Sequence, residues 1–319
     1  MEFSAAGTPG ESLSGAFEYH GNVNYCYADA AAMFVSGQGV QGISSGLIEV
    51  LTGISLMGGH LVSEPECEKL YFSLVPSPDR LVRALDLLGL DCMARSGPAD
   101  ADVAAILRAE LTTGPVLLGP LDMGYLRYFP YHQHARGADH YVVAYAIDDE
   151  RVYLHDPLGF PAASMALSDL ERSWRADDLP CPGGPFHRWL DLRVRSTPTP
   201  DERYMAAMAY FDSIRRETPS GGEVIRDFAK RLRNDELPPR SHAFLTIFTF
   251  PAQARRGMDY AAFFKAGGDL TMARYKQRQA RLFGECLVAG NAGDWDPVCD
   301  RFLELADIED AMHEHTFTA

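Results

Sequence analysis

Residues 139–159 read DHYVVAYAIDDERVYLHDPLG, and this stretch decides the fold. Two runs rich in β-branched and aromatic residues flank the polar triplet Asp148-Asp149-Glu150, the pattern of two antiparallel strands joined by a tight turn. Facing positions in such a hairpin sum to about 298, so His140 faces roughly residue 158 and Asp156 stands beside it across the ladder. A carboxylate placed there can orient an imidazole and leave its second nitrogen free to act as a base.

Working outward, the short apolar run PVLLG (115–119) begins the sheet, and RWLDLRVR (188–195) alternates apolar and polar residues as a last strand. Helices are expected where CYADAAAMFV starts at Cys26 and runs to Gly37, and in SSGLIEVLTG, capped by Ser44 or Ser45 and closed by Gly53. The segment Pro78 to Gly89 sets Leu81, Val82, Leu85 and Leu88 on one helical face, and DVAAILRAELTTG repeats the pattern. Both should pack on the sheet. Past the linker STPTPDE the strand signal fades, and DERYMAAMAYFDSIRRE, GEVIRDFAKRLRN, TMARYKQRQARLFGECLVAG and DPVCDRFLELADIEDAMHEH read as helices. The expected class is α+β, divided into a flexible N-terminal arm (1–16), a catalytic domain (17–197) and a mainly helical C-terminal domain (198–319).

Apolar residues make up 46 % of the 319 and charged residues 23 %, which excludes disorder for most of the length. A net charge of -15 argues against nucleic acid, whose binders need surplus Lys and Arg. No run approaches the roughly 20 apolar residues of a membrane span, and the N-terminus lacks a signal-peptide pattern, so the expected location is the cytoplasm. The six cysteines, Cys26, Cys67, Cys92, Cys181, Cys286 and Cys299, show no C-x-x-C pairing, so neither zinc nor a disulfide framework is suggested.

A cysteine becomes a nucleophile when its pKa is lowered and a base stands next to it, and a helix N-terminus and an imidazole are two means to that end. Cys26 opens a helix. Taken singly, such a cysteine is most often a buried structural residue, and a His at a strand end a hydrogen-bonded filler. The order Cys, then His more than a hundred residues later, then Asp-Pro ending the next strand is much less common by chance. It nominates Cys26, His140 and Asp156 as a papain-like triad.

The pieces NYCYADAAAMF, LIEVLTGISLMGG and DHYVVAYAIDDERVYLHDPLG resemble the butirosin biosynthesis protein H family of acyltransferases, itself similar to the bacterial peptidases that cut double-glycine leaders. The resemblance covers about residues 17 to 195, and the helical remainder looks like the C-terminal part often attached to that family. It implies a papain-like fold in which Cys26 is the nucleophile, His140 the base and Asp156 the orienting residue. It also implies an acyl group taken from the phosphopantetheine arm of an acyl or peptidyl carrier protein and passed to a small-molecule amine, in bacterial natural-product assembly. No bound cofactor or metal is called for, and a homo-oligomer stays open. Family members often place His directly before the nucleophile, where this chain has Asn24-Tyr25, and papain-like enzymes supply an upstream Gln, which this chain lacks before Cys26. His20, Asn22 or Asn24, with the Cys26 backbone N–H, are the candidate oxyanion donors; the alternative for each is a loop residue satisfying local backbone. Two rivals stand beside the transferase: a cysteine peptidase, amidase or thioester hydrolase, and a non-catalytic protein sheltering a carrier-bound intermediate.

His132, His134 and Arg136 in YHQHARGADH lack a partner at metal-ligand spacing and read as solvent-exposed or as a loop over the substrate. His155, next to Asp156 on a strand, should point to the opposite face and be structural. Between 251 and 281 the chain has a local surplus of cations, and Arg255, Arg256, Arg274, Lys276 and Arg278 are the candidates for docking an acidic carrier protein. The competing reading is a solvated helix face.

Overall fold

The computed structural model describes residues 16–21, 25–64, 66–74, 78–179, 184–315 and 317. In chain order its elements begin with α1 (Cys26–Gly37), α2 (Ser45–Thr52), β1 (His60–Glu64), β2 (Cys67–Tyr71), α3 (Pro78–Leu87), β3 (Leu90–Arg95), α4 (Val103–Glu110) and β4 (Val116–Asp122). Then follow β5 (Asp139–Ile147), β6 (Arg151–Asp156), β7 (Phe160–Ala166), α5 (Leu167–Arg175) and β8 (Arg188–Val194). The rest is helical: α6 (Pro200–Glu217), α7 (Gly222–Arg233), α8 (Pro239–Phe244), a π-helical turn (Leu245–Thr249), α9 (Phe250–Ala266), α10 (Leu270–Asn291) and α11 (Trp295–Glu314). The chain is thus a mixture of helix and strand with a helical C-terminal region.

Two compact units emerge, one of residues 1–48 with 77–197 and one of residues 49–76 with 198–319. The second boundary falls in the Pro-containing linker, where Thr199 and Glu202 form a reciprocal capping box with Pro200 in the first turn of α6. A single continuous domain over 17–197, however, is not what the structure shows, because residues 49–76 belong with the helices. The physical reason is a set of buried polar ties within the second unit. Arg256 Nε donates to Glu49 Oε1 at 2.7 Å, Lys276 Nζ to the Ser55 carbonyl at 2.9 Å, and the Gly58 N–H to Glu309 Oε2 at 2.9 Å. Gln279 donates to the other Glu309 oxygen at 2.7 Å. Each buried charge thereby keeps its partner, and the sequence pattern of residues 49–76 shows none of this.

In the first unit a six-stranded sheet runs β3-β8-β4-β5-β6-β7, every neighbouring pair antiparallel. The β5–β6 hairpin pairs Val143 with His155 and Ala144 with Leu154, the register expected from the sequence. Its turn is closed by Asp148, whose carboxylate accepts the N–H groups of Glu150 (2.8 Å) and Arg151 (2.7 Å). On one face Val103 and Leu107 of α4 and Leu170 and Trp174 of α5 form a continuous core with Val116, Leu118, Val142, Ala144, Val152 and Leu154. Helix α1 packs on β5 and β4, and its run of buried alanines (Ala28, Ala30, Ala31, Ala32) permits close approach. Gly119 is required where β4 passes under Tyr141, since a Cβ there would lie 2.2 Å from the Tyr141 ring. Helix α5 sets Leu167, Leu170 and Trp174 on one face at helical spacing, whereas strands β1, β2, β3 and β7 carry no clean period in the sequence. Leu90–Arg95, for instance, has exposed Asp91, Met93, Ala94 and Arg95 on a strand at the sheet edge.

Candidate active site

The β5–β6 hairpin brings His140 and Asp156 together, with the imidazole Nε2–H donating to Asp156 Oδ1 at 2.8 Å. Both side chains are buried, at 1 % and 0 % exposed. A charged carboxylate in such a place needs several donors, and it has them: the Leu158 N–H reaches Oδ1 at 2.7 Å and the Tyr128 hydroxyl reaches Oδ2 at 2.7 Å. Burial alone would raise the Asp156 pKa, but the His140 charge and hydrogen bond, with Tyr128 and the Leu158 N–H, outweigh it and hold the carboxyl below its ordinary value. With Nε2 committed to the carboxylate, Nδ1 is the imidazole nitrogen left to take a proton.

Cys26 is the first residue of α1 and is partly exposed. Its sulfur lies in the field of Asp139, which precedes His140 in the chain, of Asp156, the hydrogen-bond partner of His140, and of Asp29 one helical turn on. Burial first, then Asp139, Asp29 and Asp156, push the thiol well above its ordinary pKa, against a lowering contribution from the Tyr27 N–H. Burial and the nearby carboxylates thus favour the protonated thiol at Cys26. Backbone N–H groups at the start of α1 provide the positive end of the helix dipole at the same place.

Of the candidate oxyanion donors, Asn22 and Asn24 lie outside the described residues. His20 is half-buried, with Nε2 3.7 Å from Glu18 Oε1. Cys181 also lies outside the described residues. In the loop between β4 and β5, His132 Nδ1–H donates to the Gly124 carbonyl at 2.9 Å, and Arg136 donates to Asp178 at 2.9 Å and lies over the Tyr125 ring. These two brace the loop, while His134 is exposed. His155 sits between Phe17 and Tyr145 and accepts from the Ala162 N–H at 2.9 Å.

The proposed carrier dock does not form a free basic patch. Arg256 and Lys276 are 5 % and 3 % exposed and are the buried ties described above. Arg278 pairs with Glu304, and Arg255 lies 3.7 Å from Asp259, leaving Arg274 as the exposed member of the five. A helix carries charge inward as readily as outward when a buried acid faces it, and the positions of Glu49 and Glu309 could not be read from the local sequence. The residues missed altogether are Tyr128 and Tyr19. The Tyr19 hydroxyl donates to the Asp156 carbonyl at 2.7 Å and accepts from the Gly159 N–H at 3.0 Å. The one signal available was the aromatic density of YLRYFPY (125–131), which says that rings will be buried but not against what.

Among the described residues there is no group of three or more His, Cys, Asp or Glu that could hold a metal ion, and no helix long and apolar enough to cross a membrane. The site thus belongs to a mixed helix-and-strand protein in which the carboxylate of a buried His–Asp pair acts electrostatically on a cysteine at a helix N-terminus. Comparison with known proteins places it further. Residues 215–316 match the YobF C-terminal domain. The Bacillus subtilis (strain 168) protein described as "Uncharacterized protein YobF" is 35 % identical over 300 residues, covering 92 % of this chain and 95 % of that protein. The chain belongs to the YobF family.

Proposed function

We propose that the first unit is a papain-like catalytic domain and that the protein is a cysteine-dependent acyltransferase. The observation that carries this reading is the buried, hydrogen-bonded His140–Asp156 pair, with the Cys26 thiol within electrostatic reach of Asp156. In the first half-reaction His140 Nδ1 removes the Cys26 proton as sulfur attacks a thioester carbonyl. The carbon–sulfur bond to the donor breaks, the donor thiol leaves with the proton, and an acyl-cysteine remains. In the second, an amine attacks the acyl-cysteine, His140 takes its proton, and the amide departs as the Cys26 thiol is restored.

Burial and the neighbouring carboxylates disfavour a preformed Cys26 thiolate, which supports a reactive acyl donor over a peptide. A thioester is a far better electrophile than an amide, so it suits a nucleophile whose proton must come off in the same step. The resemblance to the butirosin biosynthesis protein H family points the same way and suggests a carrier-bound donor. The test is product analysis after incubation with an acyl thioester, with and without a panel of small amines. An amide that depends on Cys26 supports transfer; free acid as the sole product with every amine assigns the site to a hydrolase.

A further inference from the structure

We propose that Tyr128 is a positioning residue of the His140–Asp156 pair, its hydroxyl holding the Asp156 carboxylate in the orientation that meets the imidazole. The inference rests on the reading of that pair as the site's base. Asp156 Oδ1 is shared by the Leu158 N–H at 2.7 Å and His140 Nε2 at 2.8 Å, and Oδ2 receives the Tyr128 hydroxyl at 2.7 Å. Turning the carboxylate about its last bond would break all of these at once. Without Tyr128, Oδ2 would be a buried charged oxygen with one donor fewer, and the group would rotate or take up a proton instead.

The loop between β4 and β5 is built to deliver this hydroxyl. Its neck is tied by Asp122, whose Oδ1 accepts the N–H groups of Gly124 (2.7 Å) and Gly137 (3.1 Å). Gly124 and Arg136 approach so closely there that a Cβ on Gly124 would lie 2.9 Å from the Arg136 Cα. His132 and Arg136, expected to be solvent-exposed or part of a loop over the substrate, brace the same loop through Gly124 and Asp178. At the tip the Tyr128 ring lies edge-on to Phe160 at 5.7 Å, just past the Asp156-Pro157 corner. Burial, then the Asp156 charge, hold the phenol well above its ordinary pKa, so it stays a donor across any working pH. Among the described residues, Cys26 and Tyr19 also lie in the field of Asp156, Asp139 from β5 in that of Cys26, and Asp29 from α1 in that of both Cys26 and Tyr19.

The experiment follows the Asp156 carboxyl carbon by NMR in the full-length protein labelled with 13C at aspartate carboxyls, assigned by its loss in Asp156→Asn. Tyr128→Phe keeps the ring and its packing but deletes the donor, and the Asp156 midpoint should rise by about tenfold in proton affinity. Placing 3-fluorotyrosine at 128 strengthens the donor and should move the midpoint the other way, which decides the matter even if the Phe protein does not fold. A midpoint within about twofold of wild type in proton affinity in the fluorotyrosine protein, or in a folded Tyr128→Phe, overturns the assignment. A purely packing role would give that null result. No substrate is needed, so this outcome is independent of whether Cys26 accepts an acyl group.

Discussion

Asp156→Asn removes one charge from the site while keeping its shape. The amide oxygen can still accept from Leu158 and His140, and the amide N–H can donate to Tyr128 once that hydroxyl turns. What is lost is the attraction between the carboxylate and the imidazolium that forms as His140 takes the Cys26 proton. With a contact of 2.8 Å the charge centres stand about 4 Å apart, which at an effective dielectric near 20 is worth about 4 kcal/mol. At about 1.4 kcal/mol per decade, the rate of any step that needs this proton transfer should fall by roughly two to three orders of magnitude. Alkylation of Cys26 by iodoacetamide at pH 7, followed by peptide mass spectrometry, reads that step without a substrate. The thermal midpoint serves as the control for folding. Alkylation within twofold of wild type in a well-folded Asp156→Asn protein would show that the pair does not serve Cys26, and the electrostatic reasoning would fail with it.

Other consequences follow from the same geometry. Asp139→Asn removes the largest carboxylate contribution raising the Cys26 thiol, so the alkylation rate should climb at lower pH than in wild type, several-fold faster at pH 8. The depressed Asp156 carboxyl contributes stability that is fully present above its unfolded value near pH 4 and is lost as pH falls through its folded value. Acid unfolding monitored by circular dichroism should accordingly show a shallower pH dependence in Asp156→Asn. Trp174→Ala empties a fully buried site in the core between α5 and the sheet and removes its hydrogen bond to the His187 carbonyl, a loss of about 3–5 kcal/mol by urea unfolding. In the second unit Arg256→Met leaves Glu49 buried without its cation and should cost about 3–5 kcal/mol, whereas Arg274→Met, on the exposed face, should stay within about 0.5 kcal/mol.

The hairpin was legible because its information is local: a turn that Asp148 closes, a fixed register, and a His and an Asp at strand ends that register makes neighbours. Cys26 at the start of α1 was legible for the same reason, since an alanine-rich run with no breaker announces a helix. Tyr128 was not legible, because its partner lies 28 positions away and is reached through a loop whose path depends on Asp122 and Gly124. The basic run in α9 and α10 misled because charge spacing does not reveal which face is buried. Arg256 and Lys276 turn inward to Glu49 and Ser55, more than 200 positions away, and these same contacts move residues 49–76 out of the first unit. Strand β3, on a sheet edge, mixes exposed polar and apolar residues and leaves little pattern to read.

Under the proposed function, Cys26 accepts an acyl group from a thioester with His140 and Asp156 behind it. Intact mass spectrometry after incubation with short and medium acyl-N-acetylcysteamine thioesters, comparing wild type with Cys26→Ala, tests it most directly. The expected result is a gain of one acyl mass that maps to the Cys26 peptide, is absent from Cys26→Ala and is much slower in Asp156→Asn. Failure of wild type to form an adduct with, or turn over, any thioester tested, a carrier-bound one included, would contradict it and leave a protein that binds without catalysing.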